Sequence, residues 1–257
     1  MVQPDGGEIS MGISIGATNT CAAVFNEQTQ QVEILASAVG KNTTPSRIGF
    51  STDGTVNVGE RAHNQETYIE DPVRLVGDQS EDVVDLGDNG GTKTPTQLVS
   101  EIIKAVKGLA ENKYEGKLAK KCVISVPSYF EDAQKTEIQT AATEASIEIM
   151  QFIDSASAAV RAAGAHLGED EETVLVCDYG GSDLTVSVVQ ISFGKITDVK
   201  SECERNVGGS VLDKALVEHC IDKFKQTNAE AEIDEKARRR LEQSCQRAKV
   251  ALSRLYS

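Results

Sequence analysis

Two apolar runs, each folded back by a turn of small residues, occur in this chain about 165 residues apart. The first spans residues 12–25 and turns at Gly16-Ala17-Thr18-Asn19; the second spans residues 174–189 and turns at Gly180-Gly181-Ser182. The alternation of apolar and polar positions around each turn predicts a β-hairpin. Since glycine has no Cβ, backbone N–H groups can converge at such turns and form an anion-binding nest. The repetition indicates a duplicated fold that grips a ligand between its halves.

Strands and helices alternate through the rest of the first 170 residues. Residues 31–36 are predicted as a strand, and the polar residues 51–92 as a variable subdomain, because Gly and Asp interrupt them. Thr94 and Pro95 are start signals for a helix that reaches Lys113. The pattern then predicts a strand over 122–126, a helix over 131–145, a strand over 147–152, and a helix over 155–167 that ends at Gly168.

The second part of the chain is predicted to begin at Thr173, after an acidic connection over residues 169–172. Its hairpin continues through Phe193-Gly194 into a third strand, and Gly208-Gly209 begins a helix that runs to about residue 226. Asp234 is a suitable N-cap for a last helix. Apolar residues recur there at helical spacing, at Ala237, Leu241, Cys245, Ala248, Leu252 and Leu255.

Composition narrows the classes of protein. The 257 residues are 39% hydrophobic with a mean hydropathy of −0.28, and no apolar run approaches the roughly 18 residues that span a bilayer, so no membrane segment is expected. The polar residues 1–11 predict a flexible tail and no secretory signal. A net charge of −14 argues against direct binding of nucleic acid, and the basic residues between 236 and 249 are interpreted as a solvated helix face.

The six cysteines contain no CxxC pair, and the three histidines have no metal-ligand spacing. Cys122 and Cys177 fall in predicted core strands, so buried reduced thiols are favoured over disulfides. Reduced thiols suggest a cytoplasmic location.

Several short motifs follow one another in a fixed order. Besides the two turns they are Asn42-Thr43-Thr44-Pro45-Ser46, Val58-Gly59-Glu60-Arg61-Ala62-His63-Asn64-Gln65, Arg74-Leu75-Val76-Gly77, Ile124-Ser125-Val126-Pro127-Ser128-Tyr129-Phe130, Gly208-Gly209 and Cys245-Gln246-Arg247-Ala248-Lys249. On these motifs the chain resembles, from Gly12 to Ser253, the nucleotide-binding domain of the seventy-kilodalton heat-shock chaperones (DnaK-type). A sugar or acetate kinase fits the turns but not Thr43-Thr44-Pro45-Ser46 or Val126-Pro127-Ser128-Tyr129-Phe130.

This resemblance implies an α/β, actin-like ATPase fold, a duplicated ribonuclease-H-like architecture with two lobes. The first lobe would span residues 12–170, with the variable subdomain at about 48–117. The second would span residues 171–257 and be incomplete, as expected of a fragment or a truncated product.

The resemblance also implies a site for ATP or ADP, bound weakly and with Mg²⁺. The nucleotide-binding positions carried over from the family are Gly16, Ala17, Thr18, Asn19, Asp178, Gly180, Gly181, Gly208, Gly209, Lys249 and Ser253. No residue is assigned a catalytic or a metal-ligating role.

The chain departs from the family pattern where catalysis needs charge. Ser14 stands where the family has an acid on the first strand, and Val73 stands where it has a catalytic lysine. Ser155, which follows Asp154, replaces a glutamate, and Asp183 replaces a threonine. In the first turn Ala17 replaces a hydroxyl residue, and further changes are Thr185 for an aspartate, Gln246 for a glutamate and Val250 for an arginine. Because phosphoryl transfer depends on positioned charge, these changes predict very weak ATP hydrolysis or none.

Among heat-shock chaperones, this pattern resembles the divergent branch that joins a zuotin-type J-protein on ribosomes. That branch implies a non-catalytic regulatory co-chaperone whose partners are a J-domain protein, the ribosome through it, and a catalytic chaperone. The alternative is an ordinary ATP-hydrolysing foldase with unusual substitutions.

Overall fold

The computed structural model describes residues 7–65, 67–77, 83–164, 170–228 and 230–254. Its strands are β1 (Glu8–Ile15), β2 (Asn19–Asn26), β3 (Gln31–Ile34), β4 (Thr44–Pro45), β5 (Arg47–Phe50), β6 (Val56–Val58), β7 (Thr67–Glu70), β8 (Val84–Asp85), β9 (Thr92–Lys93), β10 (Leu118–Val126), β11 (Glu148–Asp154), β12 (Glu172–Tyr179), β13 (Asp183–Ser192) and β14 (Lys195–Arg205). Its α-helices are α1 (Gly87–Gly90), α2 (Pro95–Lys113), α3 (Asp132–Glu144), α4 (Ser155–Ala162), α5 (Gly209–Thr227) and α6 (Glu235–Arg254). Two 3-10 helices cover Gly59–Asn64 and Pro72–Leu75.

The chain divides into two units, one formed by residues 1–178 and 185–203, the other by residues 179–184 and 204–257. This division does not coincide with the expected lobe boundary at residue 170, because most of β12, β13 and β14 groups with the first unit. The limits of the two lobes therefore stay a prediction.

A six-stranded mixed sheet organises the first unit. Its strands lie in the order β11-β10-β1-β2-β3, and β4 pairs with the start of β2. The pairs β1–β10 and β10–β11 are parallel, whereas β1–β2 and β2–β3 are antiparallel hairpins. Helices in the connections suit the parallel pairs, because parallel strands need long crossovers.

One face of the first hairpin is buried in the main core. Burial alternates along β1, where the side chains at positions 9, 11, 13 and 15 are buried and those between them are exposed. The core also includes the buried side of α2 and apolar residues of β10 and α3. The predicted start of α2 is confirmed, since the Thr94 hydroxyl accepts from the Gln97 N–H and the Gln97 side chain accepts from the Thr94 N–H.

Two boundaries differ from the sequence predictions. Residues 8–11 belong to β1 rather than to a flexible tail, because Ile9 and Met11 are buried in the core and the strand pairs with β10. Helix α4 ends at Ala162, with Gly164 at φ 74° following its C-cap. Gly164 therefore terminates the helix earlier than expected. The predicted terminator, Gly168, lies outside the described residues.

Short elements form the variable region between the first hairpin and α2. Strands β6, β5 and β7 make a three-stranded antiparallel sheet, and β8 pairs with β9. The side chains of Ile48 and Phe50 on β5 are buried in the main core. The variable region therefore contains small sheets and joins the main core through several buried apolar residues, among them Val73, Val76 and Leu86.

A second three-stranded sheet, in the order β12-β13-β14, packs against α4. Val189 and Ile191 of β13 are buried against Ala156 and Val160 of the helix. The opposite face of β12 is open, and for this reason Cys177 is exposed rather than buried as predicted. Cys122 is fully buried, as expected.

The second unit consists of the second glycine turn and the helix pair α5 and α6. Val217, Ile221 and Cys245 form its buried cluster, with Leu216, Cys220, Ile233 and Leu241 packed around it. Asp234 accepts from the Ala237 N–H at 2.6 Å, so the predicted N-cap is confirmed. Among the described helices, none is long and apolar enough to cross a membrane.

Candidate nucleotide-binding residues

The first glycine turn is closed by a backbone hydrogen bond from the Gly16 N–H to the Asn19 carbonyl, at 3.0 Å. A Cβ added at Gly16 would lie 3.0 Å from that same oxygen, so the tight turn favours glycine. The Ser46 N–H donates to the Thr18 carbonyl at 2.9 Å, and the hydroxyls of Ser46 and Thr20 are in hydrogen-bond contact. The turn is therefore held from outside by the segment around β4.

The second turn repeats this closure. The Gly180 N–H donates to the Asp183 carbonyl at 2.9 Å, as the Gly16 N–H does to Asn19 in the first unit. The two hairpins therefore share an atomic detail, and not only a composition.

The N-terminus of α5 is attached to the second turn by several hydrogen bonds. The Gly209 N–H donates to the Gly180 carbonyl at 3.0 Å, and the Ser210 N–H and hydroxyl both donate to the Gly181 carbonyl. A Cβ at Gly208 would lie 2.4 Å from the Gly181 carbonyl oxygen, so the close approach of the two backbones requires glycine there. Gly208 and Gly209 thus bring α5 onto the hairpin, and the Gly209 N–H is used in doing so.

Lys249 is held inside the second unit. Its Nζ donates to the Gly209 carbonyl at 2.9 Å and pairs with Oδ2 of Asp213 at 2.7 Å. Within the described ranges, the other carboxylate oxygen of Asp213 is buried without a hydrogen-bond partner. Ser253 lies one turn further along α6, and its hydroxyl donates to the Lys249 carbonyl. The structure therefore brings together Gly180, Gly181, Gly208, Gly209 and Lys249.

Asp178 is exposed near the end of β12. Only Tyr179 separates it from the second turn, which begins at Gly180. In the first turn Ala17 and Thr18 are partly buried and Asn19 is exposed. These residues belong to the first unit, and their use in nucleotide binding stays a prediction.

The position expected to hold a catalytic lysine is part of the hydrophobic core. Val73 lies on the second 3-10 helix, is 7% exposed, and belongs to the same buried cluster as Val76. An ammonium group at this depth would lose its hydration. The local structure therefore suits an apolar side chain.

Asp154 is used for a local purpose. Its Oδ1 accepts from the backbone N–H groups of Ala156 at 2.9 Å and Ser157 at 3.1 Å, which makes it the N-cap of α4. The neighbouring Ser155 is the first residue of that helix. The carboxylate of Asp154, next to the position of the expected glutamate, is thus bonded to the first turn of α4.

Ser14 lies on an exposed position in the middle of the mixed sheet, aligned with Cys21 on β2 and Ser125 on β10. Neither neighbour offers a carboxylate. Among the described residues, no three His, Cys, Asp or Glu side chains group closely enough to hold a metal ion. The donor set fits Mg²⁺ poorly, because that cation is usually held by carboxylates and by the phosphates it bridges.

Sequence reasoning missed two contributors to this arrangement, Asp213 and Ser210. Asp213 follows Gly209 by four residues on α5, so the two lie on one helix face. The spacing of Gly209 and Asp213 was the sequence signal for this arrangement, but no local signal predicts that α6 packs beside α5.

Two glycine-turn hairpins in a mixed α/β protein are consistent with the class of actin-like ATPase folds. The model of the family described as "Hsp70 protein" matches residues 10–85 and 70–257. The chain therefore belongs to the Hsp70 family, and it corresponds to the nucleotide-binding domain. The actin-like fold class predicted from the sequence is confirmed.

Two curated relatives are both described as "Chaperone protein DnaK". The protein from Anaplasma marginale (strain St. Maries) is 32% identical over 265 residues, which cover 95% of this chain and 40% of the relative. The protein from Thermosipho africanus (strain TCF52B) is 33% identical over 252 residues, which cover 96% of this chain and 41% of the relative. The chain thus spans about two fifths of the length of these relatives.

Proposed function

We propose that this chain is the nucleotide-binding part of an Hsp70-family co-chaperone that regulates protein folding and hydrolyses ATP very weakly or not at all. The observation that supports this most is the structural use of the positions where family catalysts carry charged groups. Val73, at the expected lysine position, is buried in the main core, and Asp154, beside Ser155 at the expected glutamate position, caps α4. Loss of one charge-stabilising donor commonly lowers a rate ~100- to 1,000-fold, although such losses need not add.

Nucleotide binding in this proposal is weak, and it depends on backbone donors at the glycine turns. The bond from the Gly209 N–H to Gly180 removes one of those donors. Ser14 lacks the negative charge that would balance Mg²⁺, and Asp183 places a negative charge near the position of a γ-phosphate. The balance of charge therefore favours ADP over ATP.

The proposed partners are a J-domain co-chaperone, the ribosome through that protein, and a catalytic chaperone that the complex stimulates. The proposed place of action is the cytoplasm. Support comes from the weakened site together with the two relatives described as chaperones.

Turnover is the first test. A protein that extends this chain to the length of its relatives is mixed with ATP and Mg²⁺ under single-turnover conditions. We expect hydrolysis no faster than in buffer alone. Mg²⁺-dependent turnover that disappears in Asp178→Ala would contradict the proposal.

Binding is the second test, on the same extended protein. Calorimetric titration should show ADP binding at least as tightly as ATP, and Ser14→Asp with Asp183→Thr should shift the ratio toward ATP. An unchanged ratio would contradict the charge argument. If neither nucleotide binds at millimolar concentration, the glycine turns serve the fold alone.

The second candidate function is an ordinary ATP-dependent folding chaperone. The preserved glycine turns and the identity of 32–33% with DnaK proteins favour it. Copurification of the protein with ribosomes and a J-domain protein, without turnover, would separate the regulatory function from this one.

A further inference from the structure

Two cysteine side chains meet between the helices of the second unit. The Sγ atoms of Cys220 on α5 and Cys245 on α6 are 4.0 Å apart, although the residues are 25 positions apart in sequence. Cys245 is buried in the cluster with Val217 and Ile221, and Cys220 is partly buried against it. The thiols therefore face each other in a packed site with limited access to solvent.

We propose that Cys220 and Cys245 form a reversible dithiol–disulfide pair that responds to peroxide. A disulfide has an S–S bond of ~2.05 Å, so the sulfurs need to approach by about 2 Å. The helices already pack around this contact. This proposal is independent of nucleotide binding, because it uses only residues of the α5–α6 pair.

The reaction follows from the difference in exposure. Peroxide reaches the partly exposed Cys220 thiol first, forming a sulfenic acid and releasing one water. The Cys245 thiol then attacks that sulfur, the S–S bond forms, the S–O bond breaks, and a second water leaves. Two electrons pass from the two thiols to one peroxide, and a small dithiol reverses the reaction.

The environment of Cys245 fits the second step. Burial, and then the contact with Cys220, raise the pKa of the Cys245 thiol above its ordinary value. A thiol with a raised pKa has little thiolate and reacts slowly with free oxidants. Its nearest reaction partner is then the sulfenic acid formed on Cys220, whose sulfur lies 4.0 Å from that of Cys245. This proximity compensates for the low reactivity of the Cys245 thiol.

A consequence for the second unit follows from the position of the pair. Cys245 lies one helical turn before Lys249, which pairs with Asp213 and the Gly209 carbonyl. A disulfide would link the middle of α5 to α6 and restrict the unfolded chain, as cross-links do. Oxidation should therefore stabilise the helix pair that holds the second glycine turn.

The test uses the chain with all its cysteines. The protein is treated with hydrogen peroxide, free thiols are alkylated without reductant, and the peptides are mapped by mass spectrometry. We expect the Cys220–Cys245 linkage to be roughly tenfold more abundant than any other, because the two sulfurs are already adjacent. The linkage should not depend on protein concentration, and dithiothreitol should restore both thiols.

The variants Cys220→Ser and Cys245→Ser should each abolish the linked peptide. Cys177→Ser, which removes an exposed thiol on β12, is the matched control and should leave the linkage unchanged. Alkylation of both Cys220 and Cys245 at a peroxide concentration that oxidises Cys177 would overturn the proposal. Because the wild-type measurement is decisive, the result does not depend on how well the variants fold.

Discussion

At the scale of single residues, some polar side chains connect neighbouring elements, and Glu33 is an example. Glu33 on β3 accepts from the Asn26 amide at 2.6 Å and from the Tyr114 hydroxyl at 2.8 Å, and it pairs with Lys113 at 2.7 Å. One carboxylate thus joins the end of α2 to the edge of the mixed sheet.

These partners lower the pKa of Glu33 from 4.5 to about 2, with the bond from Lys113 as the largest cause. Since the folded-state pKa is lowered, the stabilisation is present above about pH 4.5 and is lost as the pH falls toward 2. We expect Glu33→Gln to flatten the pH dependence of urea unfolding in this window. Glu27→Gln, at an exposed turn position, is the control. An unchanged slope in Glu33→Gln would contradict the assignment.

Gly208 allows a close approach between two backbones. We expect Gly208→Ala to destabilise the second unit by about 1–3 kcal/mol, because the new Cβ would lie 2.4 Å from the Gly181 carbonyl oxygen. Urea unfolding followed by a probe on α5 measures this change. Gly12→Ala is a matched control, since no atom lies within 4 Å of a Cβ there. Equal stability of both variants would mean that the turn and α5 are not in close contact.

At the scale of elements, caps decide where helices begin, and one cap uses Asp154, the carboxylate next to the expected glutamate position. Helix α2 has a reciprocal cap between Thr94 and Gln97, and α4 is capped by Asp154. The cap on α4 lies at the end of β11, where the chain turns from sheet into helix.

We expect Asp154→Ala to lower the free energy of unfolding by about 1 kcal/mol, because two N–H groups at the start of α4 lose their acceptor. Asp154→Asn keeps an acceptor and should retain most of the stability. Hydrogen exchange at Ala156 and Ser157 should accelerate in the alanine variant alone. Acceleration in neither variant would contradict the capping role.

At the scale of the whole molecule, the two units differ in the size of their cores. The first unit has a large continuous cluster across the mixed sheet, α2 and α3, whereas the buried cluster between α5 and α6 contains three of the described residues. Burial of apolar area contributes ~25 cal/mol per Å², so the second unit has the smaller driving force for folding.

We therefore expect the amides of α5 and α6 to exchange roughly tenfold or more faster than those of β1, β10 and α2. Hydrogen exchange measured by mass spectrometry on the chain of 257 residues tests this. The fully buried segment of α2 serves as the internal reference. Equal protection in both units would show that the small cluster is sufficient for a stable fold.

The sequence by itself determined the parts of this protein that depend on local signals. The glycine turns, the start of α2 at Thr94-Pro95 and the cap of α6 at Asp234 were predicted, because turn chemistry, caps and periodicity act over a few residues. The order of short motifs was also sufficient for the family and the fold class.

Only the tertiary structure decided the environment of individual side chains. Cys177 lies in a β run like that of Cys122, yet only Cys122 is covered by a packed layer. Val73 is buried by residues that are distant in sequence. The pairing of Lys249 with Asp213 and the contact of Cys220 with Cys245 also join distant segments. Local pattern carries no information on such contacts, because they depend on which surfaces meet after the elements have formed.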